Sequence, residues 1–426
     1  MKTNKLGLWS IVFLGINGII GSGVFLLPNK AMDLFGPYSL LILLFDMVLV
    51  LCISLCFAEA SSLFKDTGGP YIYAKEAFGD FIGYEVGFLV WATRIIAFST
   101  MSVGFATALA GIVPEWNTVF MKNVISCGVV VVLSLMNLLG VRPFKIIQNI
   151  ATIGKLIPLV LFVGIGIFFI DFNNFVAPPD TVYTTTTFGS CAILLFYAFT
   201  GFESICVAAG DMDNPTKNVP KATIITIAIV SIIYFLLLAV CIGVMGPSLA
   251  ESTVPVQEAF ARICGPVGGV LIAAGTLVSI GGICIMTSFV MPRNGLALAE
   301  KGMLPAVMAQ HNRFGAPYWC IIVSALAAMA VNTTGSFTTL AAISAVVRFT
   351  QYIPTCLAVI VFRRTKKDIK RSFKIPFGNT IPILAILISI VFFSQLELRQ
   401  IVLGFGAIVI AIPFYFIYKL YGRKKS

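Results

Sequence analysis

The chain has 426 residues, of which 58% are hydrophobic and only 11% are charged, and its mean hydropathy is +0.99. An ordinary soluble domain is nearer a quarter charged, and here apolar runs recur from Leu6 to Leu420, so a soluble globular protein is excluded. The 29 Lys and Arg residues exceed the 18 Asp and Glu residues, but the excess lies mainly in short loops between apolar runs. That distribution excludes a nucleic-acid-binding face as its cause and favours membrane topology.

Apolar windows of about 20 residues predict twelve transmembrane helices. These spans begin near Leu8, Leu40, Phe81, Asn123, Ile150, Phe188, Ala222, Gly269, Tyr318, Phe337, Ile381 and Ile401. With the N-terminus in the cytoplasm, the inner segments hold 22 of the 29 basic residues, and the outer loops hold four, Lys30, Lys122, Arg262 and Arg399. This asymmetry predicts a multi-pass protein of the cell membrane with both termini in the cytoplasm.

The first span is interrupted by glycine in its centre. It reads GINGIIGSGVFLLP from Gly15 to Pro28, with Gly21-Ser22-Gly23 near mid-membrane. Each glycine costs about 1 kcal/mol in a helix interior relative to alanine. Small residues also let helices pack closely, which is the alternative explanation. The contiguous glycines followed by Pro28 favour a helix broken in two, which is tolerated at membrane depth only where protein or a wet cavity surrounds it.

The sixth span carries a second interruption at the corresponding place. Its centre reads YAFTGFE, from Tyr197 to Glu203, and it opens the second set of five spans as the first span opens the first set. Two broken helices in matching positions of inverted halves indicate the binding site of a secondary transporter. A broken helix offers N–H groups to an anion and carbonyl groups to a cation, so the pair suits a zwitterion.

Several motifs then occur together in a characteristic order. They are GIIGSGVFLLP, FAEASSLFKDTGGPYIYAKEAFG (57–79), GKLIPL (154–159), YAFTGFES, DNPTKNVPKA (213–222) and RNGLALAEKGMLP (293–305). In combination they resemble the amino acid–polyamine–organocation superfamily of permeases over roughly residues 5–376. Lys65-Asp66 departs from the proline that often stands in the turn after span two, which affects local loop geometry only.

The resemblance implies an all-α membrane protein with the leucine-transporter fold, a 5+5 inverted repeat with helices 1 and 6 broken. The expected units are residues 1–170 (helices 1–5), 171–362 (helices 6–10) and 363–426 (a basic cytoplasmic loop, helices 11 and 12 and a short tail). By the same resemblance the substrate carboxylate would lie at Ile20, Gly21, Ser22 and Gly23. The amino group would lie at the segment of Phe196, Tyr197, Phe199 and Thr200, which also forms part of a gate.

Charged residues inside the spans are further candidates, since an ionisable side chain in a membrane is costly. Sodium-coupled relatives of this fold hold a sodium ion where similar permeases place a span-five lysine, so Lys155 is expected to replace that ion; the alternative is a lysine that snorkels to the cytoplasmic face. Glu203 is expected to carry a proton or couple a gate, or else to cap N–H groups freed by the break. Arg94 either faces the pocket and selects the substrate charge or, like Arg348, forms a buried ion pair with an acid such as Glu203 or Glu85.

The predicted function is secondary active transport of amino acids by alternating access without sodium, with neutral amino acids as substrates and either proton symport or exchange as the mechanism. The alternatives are a cationic amino acid or polyamine permease and, in another class, a sensor or channel that retains the permease fold. An enzyme is not expected, because His311 is the single histidine and lies in a loop. No metal or other cofactor is expected; the expected partners are the amino-acid substrate, the lipid bilayer and, for symport, protons, and the oligomeric state is left open.

Overall fold

The computed structural model describes residues 6–64, 69–140, 145–176, 183–207, 212–369 and 371–395, with the positions 402, 406, 409, 411–413 and 415–416. Most of the predicted twelfth span from Ile401 lies outside these residues, as do several predicted cytoplasmic positions, namely Lys2, Lys5, Lys65, Arg142, Lys370 and the tail from Lys419. Within the described residues the regular structure is helical, and one isolated bridge joins Leu6 to Met212.

Fifteen α-helices are described. In chain order they are α1 (Leu8–Ile19), α2 (Ser22–Leu26), α3 (Pro28–Phe35), α4 (Ser39–Ser61), α5 (Pro70–Phe78), α6 (Asp80–Ala110), α7 (Val119–Leu138), α8 (Lys145–Gly166), α9 (Thr185–Ala198), α10 (Glu203–Val207), α11 (Pro215–Met245), α12 (Pro255–Glu300), α13 (Tyr318–Asn332), α14 (Phe337–Thr365) and α15 (Thr380–Ser394). Six helical segments among the described residues are long and apolar enough to cross a membrane: Pro28–Ser61, Asp80–Ala110, Val119–Leu138, Pro215–Glu251, Pro255–Glu300 and Phe337–Thr365.

Local sequence explains where many of these helices begin. Proline occupies the first position of α3, α5, α11 and α12, where its missing N–H would have no helical partner in any case. Thr118, Thr184 and Ser336 cap α7, α9 and α14 through side-chain oxygens that accept a backbone N–H of the first turn. Helix α12 starts 14 residues before its predicted span at Gly269 and changes direction at Gly265, whose φ is +69°.

The first helix ends where the sequence places its glycines. Ile20 is extended, with φ −69° and ψ 97°, and Gly21 also leaves the helical region before α2 begins at Ser22. In the second interruption α9 ends at Ala198, Gly201 adopts φ +118°, and α10 begins at Glu203. A φ of +118° lies in a region that L side chains rarely adopt, so Gly201 meets a backbone requirement.

The two interruptions touch through their backbones. A Cβ added to Gly201 would overlap the carbonyl oxygen of Gly18, and one added to Gly23 would lie 2.9 Å from the Cα of Ala198. The long helices enclose this crossing: α6 packs along α12 and α14, and α11 packs along α1 and α4. The centre of the bundle is therefore an irregular backbone surrounded by protein, the condition under which such backbone is stable in a membrane.

The segment that follows α14 folds back over the end of α4. Glu59, whose side chain is 1% exposed, accepts hydrogen bonds from Nε and Nη2 of Arg363 at 2.8 and 2.5 Å and from the N–H of Ile375 at 2.8 Å. Ser62 donates to the carbonyl oxygen of Phe373 at 3.3 Å. We call residues 366–369 and 371–376 the strap, because the contacts of Phe373 and Ile375 fasten it to the end of α4.

Candidate functional site

Ser22, the first residue of α2, lies at the centre of the candidate site. Its hydroxyl is 3.1 Å from the hydroxyl of Tyr197 on α9 and donates to the sulfur of Met101 on α6 at 3.3 Å. A Cβ on Gly21 would come within 2.8 Å of Met101 Cε and 3.1 Å of Ile283 Cδ1. Glycine at this position therefore keeps the backbone of the first break close to side chains from α6 and α12.

The backbone carbonyls of the second break are largely occupied. Those of Phe196 and Tyr197 accept the N–H groups of Phe199 and Thr200 at 3.0 and 3.1 Å, and Thr200 also donates its hydroxyl to Tyr197 O at 2.7 Å. Phe196 and Tyr197 therefore belong to the last turn of α9 and the irregular backbone begins after them. The carbonyl groups of Phe196 and Tyr197, where the resemblance places the substrate amino group, thus accept N–H groups within the turn.

Three predicted site residues of this segment point in different directions. The ring of Phe196 stacks on Phe349 with centroids 4.8 Å apart, and the ring of Phe199 lies 5.2 Å from that of Tyr234. Both phenylalanines are fully buried, so they are part of the packing that holds the break. Tyr197 is the residue of the three that reaches Ser22.

Tyr234 of α11 joins the two interrupted helices. Its hydroxyl lies 3.1 Å from the carbonyl oxygen of Ala198 and 3.3 Å from that of Ile19. One hydroxyl proton is thus shared between the last carbonyls of α9 and α1. These are carbonyls that a helix end leaves without an intrahelical partner, so Tyr234 satisfies both breaks at once.

Lys155 of α8 reaches the first break from the side. Its ammonium donates to the carbonyl oxygens of Ile20 at 2.8 Å and Asn17 at 3.1 Å, and its side chain is completely buried. The Ser279 hydroxyl donates to the same Ile20 oxygen at 3.4 Å. A positive charge therefore sits where the carbonyl ends of α1 concentrate negative partial charge. The ammonium lies inside the protein and does not extend to a surface.

Glu203 begins the second half of the other interrupted helix. Its carboxylate pairs with Arg348 of α14, accepts from the hydroxyl of Tyr352 at 3.0 Å and accepts from the N–H of Gly201 at 3.0 Å. All of these partners are buried. The carboxylate thus ties α10 to α14 and accepts an N–H group of its own break, which is the capping contact that the sequence suggested as one alternative.

Arg94 of α6 lies beside this ion pair without forming one of its own among the described residues. Its Nη2 donates to the hydroxyl of Ser204 at 2.9 Å, and the side chain is half-buried. Glu203 acts on both Arg94 and Arg348 electrostatically, so the group contains two cations and one carboxylate. Of the two mid-span arginines, Arg348 is the one bonded to the acid.

The sequence also matches a known protein family. The sequence model of a family described as amino acid permease matches residues 6–420, which is nearly the whole chain. The chain belongs to the amino acid permease family. This confirms the resemblance drawn from the sequence motifs, and a permease is a transporter, not an enzyme.

Three relatives of this permease have been compared along most of their length. A protein named as an uncharacterized transporter from Mycobacterium tuberculosis (strain CDC 1551 / Oshkosh) is 32% identical, with 85% of the present chain and 81% of the relative covered. The serine/threonine exchanger SteT of Bacillus subtilis (strain 168) is 28% identical, with coverages of 90% and 88%. The branched-chain amino acid permease BcaP of the same strain is 26% identical, with coverages of 99% and 94%.

Several residues of the candidate site could not be identified from the sequence. Met101 and Ile283 are apolar residues within apolar helices, and Tyr234 lies in a similar helix with no local motif to mark it. Which side chains of a helix face the site depends on how the helix is rotated about its axis. A single sequence does not give that rotation. Tyr352 follows Arg348 by four residues and therefore lies on the same face of the helix. This spacing points to Tyr352 only after Arg348 is known to face the interior.

Proposed function

We propose that this permease transports neutral amino acids across the cell membrane by alternating access, independently of sodium. The observation that carries the proposal is the position of Lys155, whose ammonium is bonded to Ile20 and Asn17 at the end of α1, next to the crossing of the two interrupted helices. A fixed cation at this point satisfies carbonyls that would otherwise require a metal ion or water.

The substrate carboxylate is proposed to bind at Ile20–Gly23. The start of α2 presents N–H groups with no helical partner, and the hydroxyls of Ser22 and Tyr197 stand 3.1 Å apart beside them. The substrate ammonium would lie near Phe199 and Thr200, where the backbone of the second break is irregular. The backbones of the two breaks touch at Gly18 and Gly201, and we propose that one amino acid binds to both breaks.

The residues around Ser22 support a neutral substrate. Met101 and Ile283 approach Gly21 of the first break, and Phe337 approaches Gly104, which lies against Ser22. None of the three carries a charge. The names of two relatives, a serine/threonine exchanger and a branched-chain amino acid permease, describe neutral amino acids as well. A small or apolar side chain fits such walls, because it needs no buried counter-charge.

The topology belongs to the proposal too. The helices are assigned to twelve spans arranged as two inverted sets, residues 1–170 and 171–362, followed by residues 363–426. The positive-inside rule places both termini in the cytoplasm, with the strap on the cytoplasmic side and the beginning of α7 outside. In this orientation Glu203 and Arg348 lie between Ser22 and the cytoplasm, where separation of α10 from α14 would open the inner path.

The test is transport by the purified protein in proteoliposomes. Vesicles are loaded with single unlabelled amino acids, and uptake of labelled alanine, serine, leucine, glutamate and arginine is followed in sodium-free buffer, with and without an imposed proton gradient. Uptake that requires internal substrate identifies exchange, and uptake driven by the gradient into empty vesicles identifies proton symport. Transport that occurs only with sodium, or of no amino acid tested, would contradict the proposal.

A further inference from the structure

A cavity of about 380 Å³ opens at the end of the bundle where α6 ends and where α7 and α14 begin. Asn29, Thr107, Asn123 and Ser336 contribute polar groups to its lining, and Leu26 and Phe337 contribute apolar ones. The volume is within the range of sites for small molecules. By the proposed topology this end faces outside.

The cavity adjoins the candidate substrate site. Phe337, in its lining, packs against Tyr197 with ring centroids 6.1 Å apart, and Tyr197 is bonded to Ser22. Val103 also lines the cavity, and the next residue, Gly104, is so close to Ser22 that an added Cβ would lie 3.0 Å from the Ser22 Cβ. A solute in the cavity is therefore separated from the first break by Phe337 and the backbone of α6.

Lys122 is the one ionisable side chain among the residues that line this cavity. It lies in the first turn of α7, is half-buried and has no acid within ion-pair distance among the described residues. Helices both begin and end around the cavity: α7 and α14 contribute N-termini, and α6 and α13 contribute C-termini. These partial charges have opposite signs, and Lys122 carries the one full charge in the lining.

We propose that Lys122 makes this cavity a charge filter, which attracts solutes that carry a carboxylate and no net positive charge and repels cationic amino acids and diamines. The inference rests on the proposed function and narrows its substrate class. Walls of low dielectric concentrate the field of a single charge in a cleft, so one lysine changes the local concentration of charged solutes.

The net charge of the ionised groups at the two breaks is positive, like the charge of Lys122. Lys155, Arg94 and Arg348 are cations at the two breaks, and Glu203 is the acid bonded among them. A second positive charge on a substrate would therefore meet like charge at the cavity and again at the breaks. Like charges inside a low-dielectric region repel more strongly than in water.

The potential of the cavity can be measured without transport. Thr333 lines the cavity and is exposed, so Thr333→Cys serves as a reporter in a background where Cys264 and Cys127 are replaced by serine. Its rates of modification by a negatively and a positively charged methanethiosulfonate are compared with Lys122 present and after Lys122→Gln. Lys30→Gln is the matched control, because Lys30 lies at the same end but pairs with Asp33 at 2.8 Å.

For a unit charge about 8 Å from the reporter in water, its removal lowers the rate with the negative reagent roughly twofold and raises the rate with the positive reagent roughly twofold. The ratio of the two modification rates, negative to positive, therefore falls about fivefold. Lys122→Glu lowers it further, and 0.5 M salt removes most of the difference because the Debye length is then only a few ångströms. A ratio that stays the same after Lys122→Gln, or that falls equally after Lys30→Gln, would overturn the charge filter.

Transport then tests the consequence for selectivity. The uptake efficiency for arginine relative to alanine is expected to rise about twofold to sixfold in Lys122→Glu at low salt, with alanine transport retained. An unchanged arginine-to-alanine ratio would refute the role of Lys122 while leaving the proposed function intact. Failure of the wild-type protein to transport any amino acid would count against the proposed function, and the reagent ratio would still decide the sign of the potential.

Discussion

The ammonium of Lys155 lies 2.8 Å from the carbonyl oxygen of Ile20, the residue at which the first helix is interrupted. The side chain of Lys155 on α8 thus donates to a carbonyl group at the end of α1, 135 residues away in sequence. The contact connects α8 with the segment that is proposed to hold the substrate. It is therefore the first target for mutation.

Lys155→Met is expected to reduce transport at least tenfold, because it leaves the carbonyl of Asn17 without the lysine donor and the carbonyl of Ile20 with only the longer bond from Ser279, at 3.4 Å. An unsatisfied buried group costs about 1–3 kcal/mol, so thermal stability should fall as well. Uptake and melting temperature are measured together, and Lys155→Arg tests whether charge alone suffices. Lys221→Met, at an exposed position of α11, is the control. Wild-type transport by Lys155→Met would exclude a role for the ammonium.

Gly201→Ala is expected to abolish transport, because the new Cβ would overlap the carbonyl oxygen of Gly18. The comparison is Gly79→Ala, which also has positive φ, +91°, but no atom within 4 Å of the added Cβ. Backbone strain of about 1–2 kcal/mol applies to both, so a difference between them measures the collision. Uptake rates and yields of folded protein are the readouts. Equal effects at the two positions would mean that the crossing of the breaks is unimportant.

Glu203→Gln and Arg348→Met are each expected to be more harmful than the double variant. Either single change leaves one buried charge without its partner, a loss of about 3–5 kcal/mol in soluble proteins, and the double change removes both charges. Thermal unfolding of the three variants gives the coupling. The exposed pair of Lys30 and Asp33 provides a control cycle, where coupling below about 1 kcal/mol is expected. If the effects of the two substitutions on thermal stability are additive, Glu203 and Arg348 are not energetically coupled.

Tyr197→Phe is expected to raise the KM for a neutral amino acid severalfold and to change kcat little. The substitution removes the hydroxyl that lies 3.1 Å from Ser22, a bond worth about 0.5–1.5 kcal/mol, and keeps the ring that packs near Phe337. Tyr84→Phe is a matched control, because the buried Tyr84 hydroxyl donates to Ala411 at 3.2 Å, outside the site. If both variants retain the wild-type KM, the Tyr197 hydroxyl does not contribute to binding.

Glu59→Ala is expected to lower the melting temperature by several degrees, because Nε and Nη2 of the half-buried Arg363 and the N–H of Ile375 lose Glu59 as their acceptor. Trypsin should then cleave the strap faster at Lys367 and Lys374, which are already exposed. Glu76→Ala, which removes an exposed partner of Lys366, should have little effect. Limited proteolysis and thermal unfolding give the answer, and an unchanged cleavage pattern in Glu59→Ala would show that other contacts hold the strap.

The positions of the helix breaks could be predicted because their cause is local. Gly21 and Gly23 weaken an apolar run at a place where hydropathy demands a helix, and α1 ends at Ile19 beside them. The residue at which the second break begins could be predicted less accurately. Tyr197 looks like part of the interruption in the sequence, but its backbone is still helical, because the turn can close through the N–H of Thr200.

The partners across helices could not be predicted. Arg94 and Arg348 both stand near the middle of apolar helices, and either could have reached Glu203. The choice depends on how α6 and α14 are rotated about their axes, which is set by packing with several other helices. Met101 next to Ser22 is a further case, since a methionine in an apolar helix gives no sign of facing a binding site.

The contact between Gly18 and Gly201 limits which substitutions this chain can accept at the crossing of its two breaks. No side chain stands between the two breaks, so there is no residue at the crossing whose size could be adjusted by small steps. Variation in what is carried must instead arise on the surrounding helices, at positions such as Met101, Ile283 and Phe337. The crossing therefore stays the same while the residues around it can change.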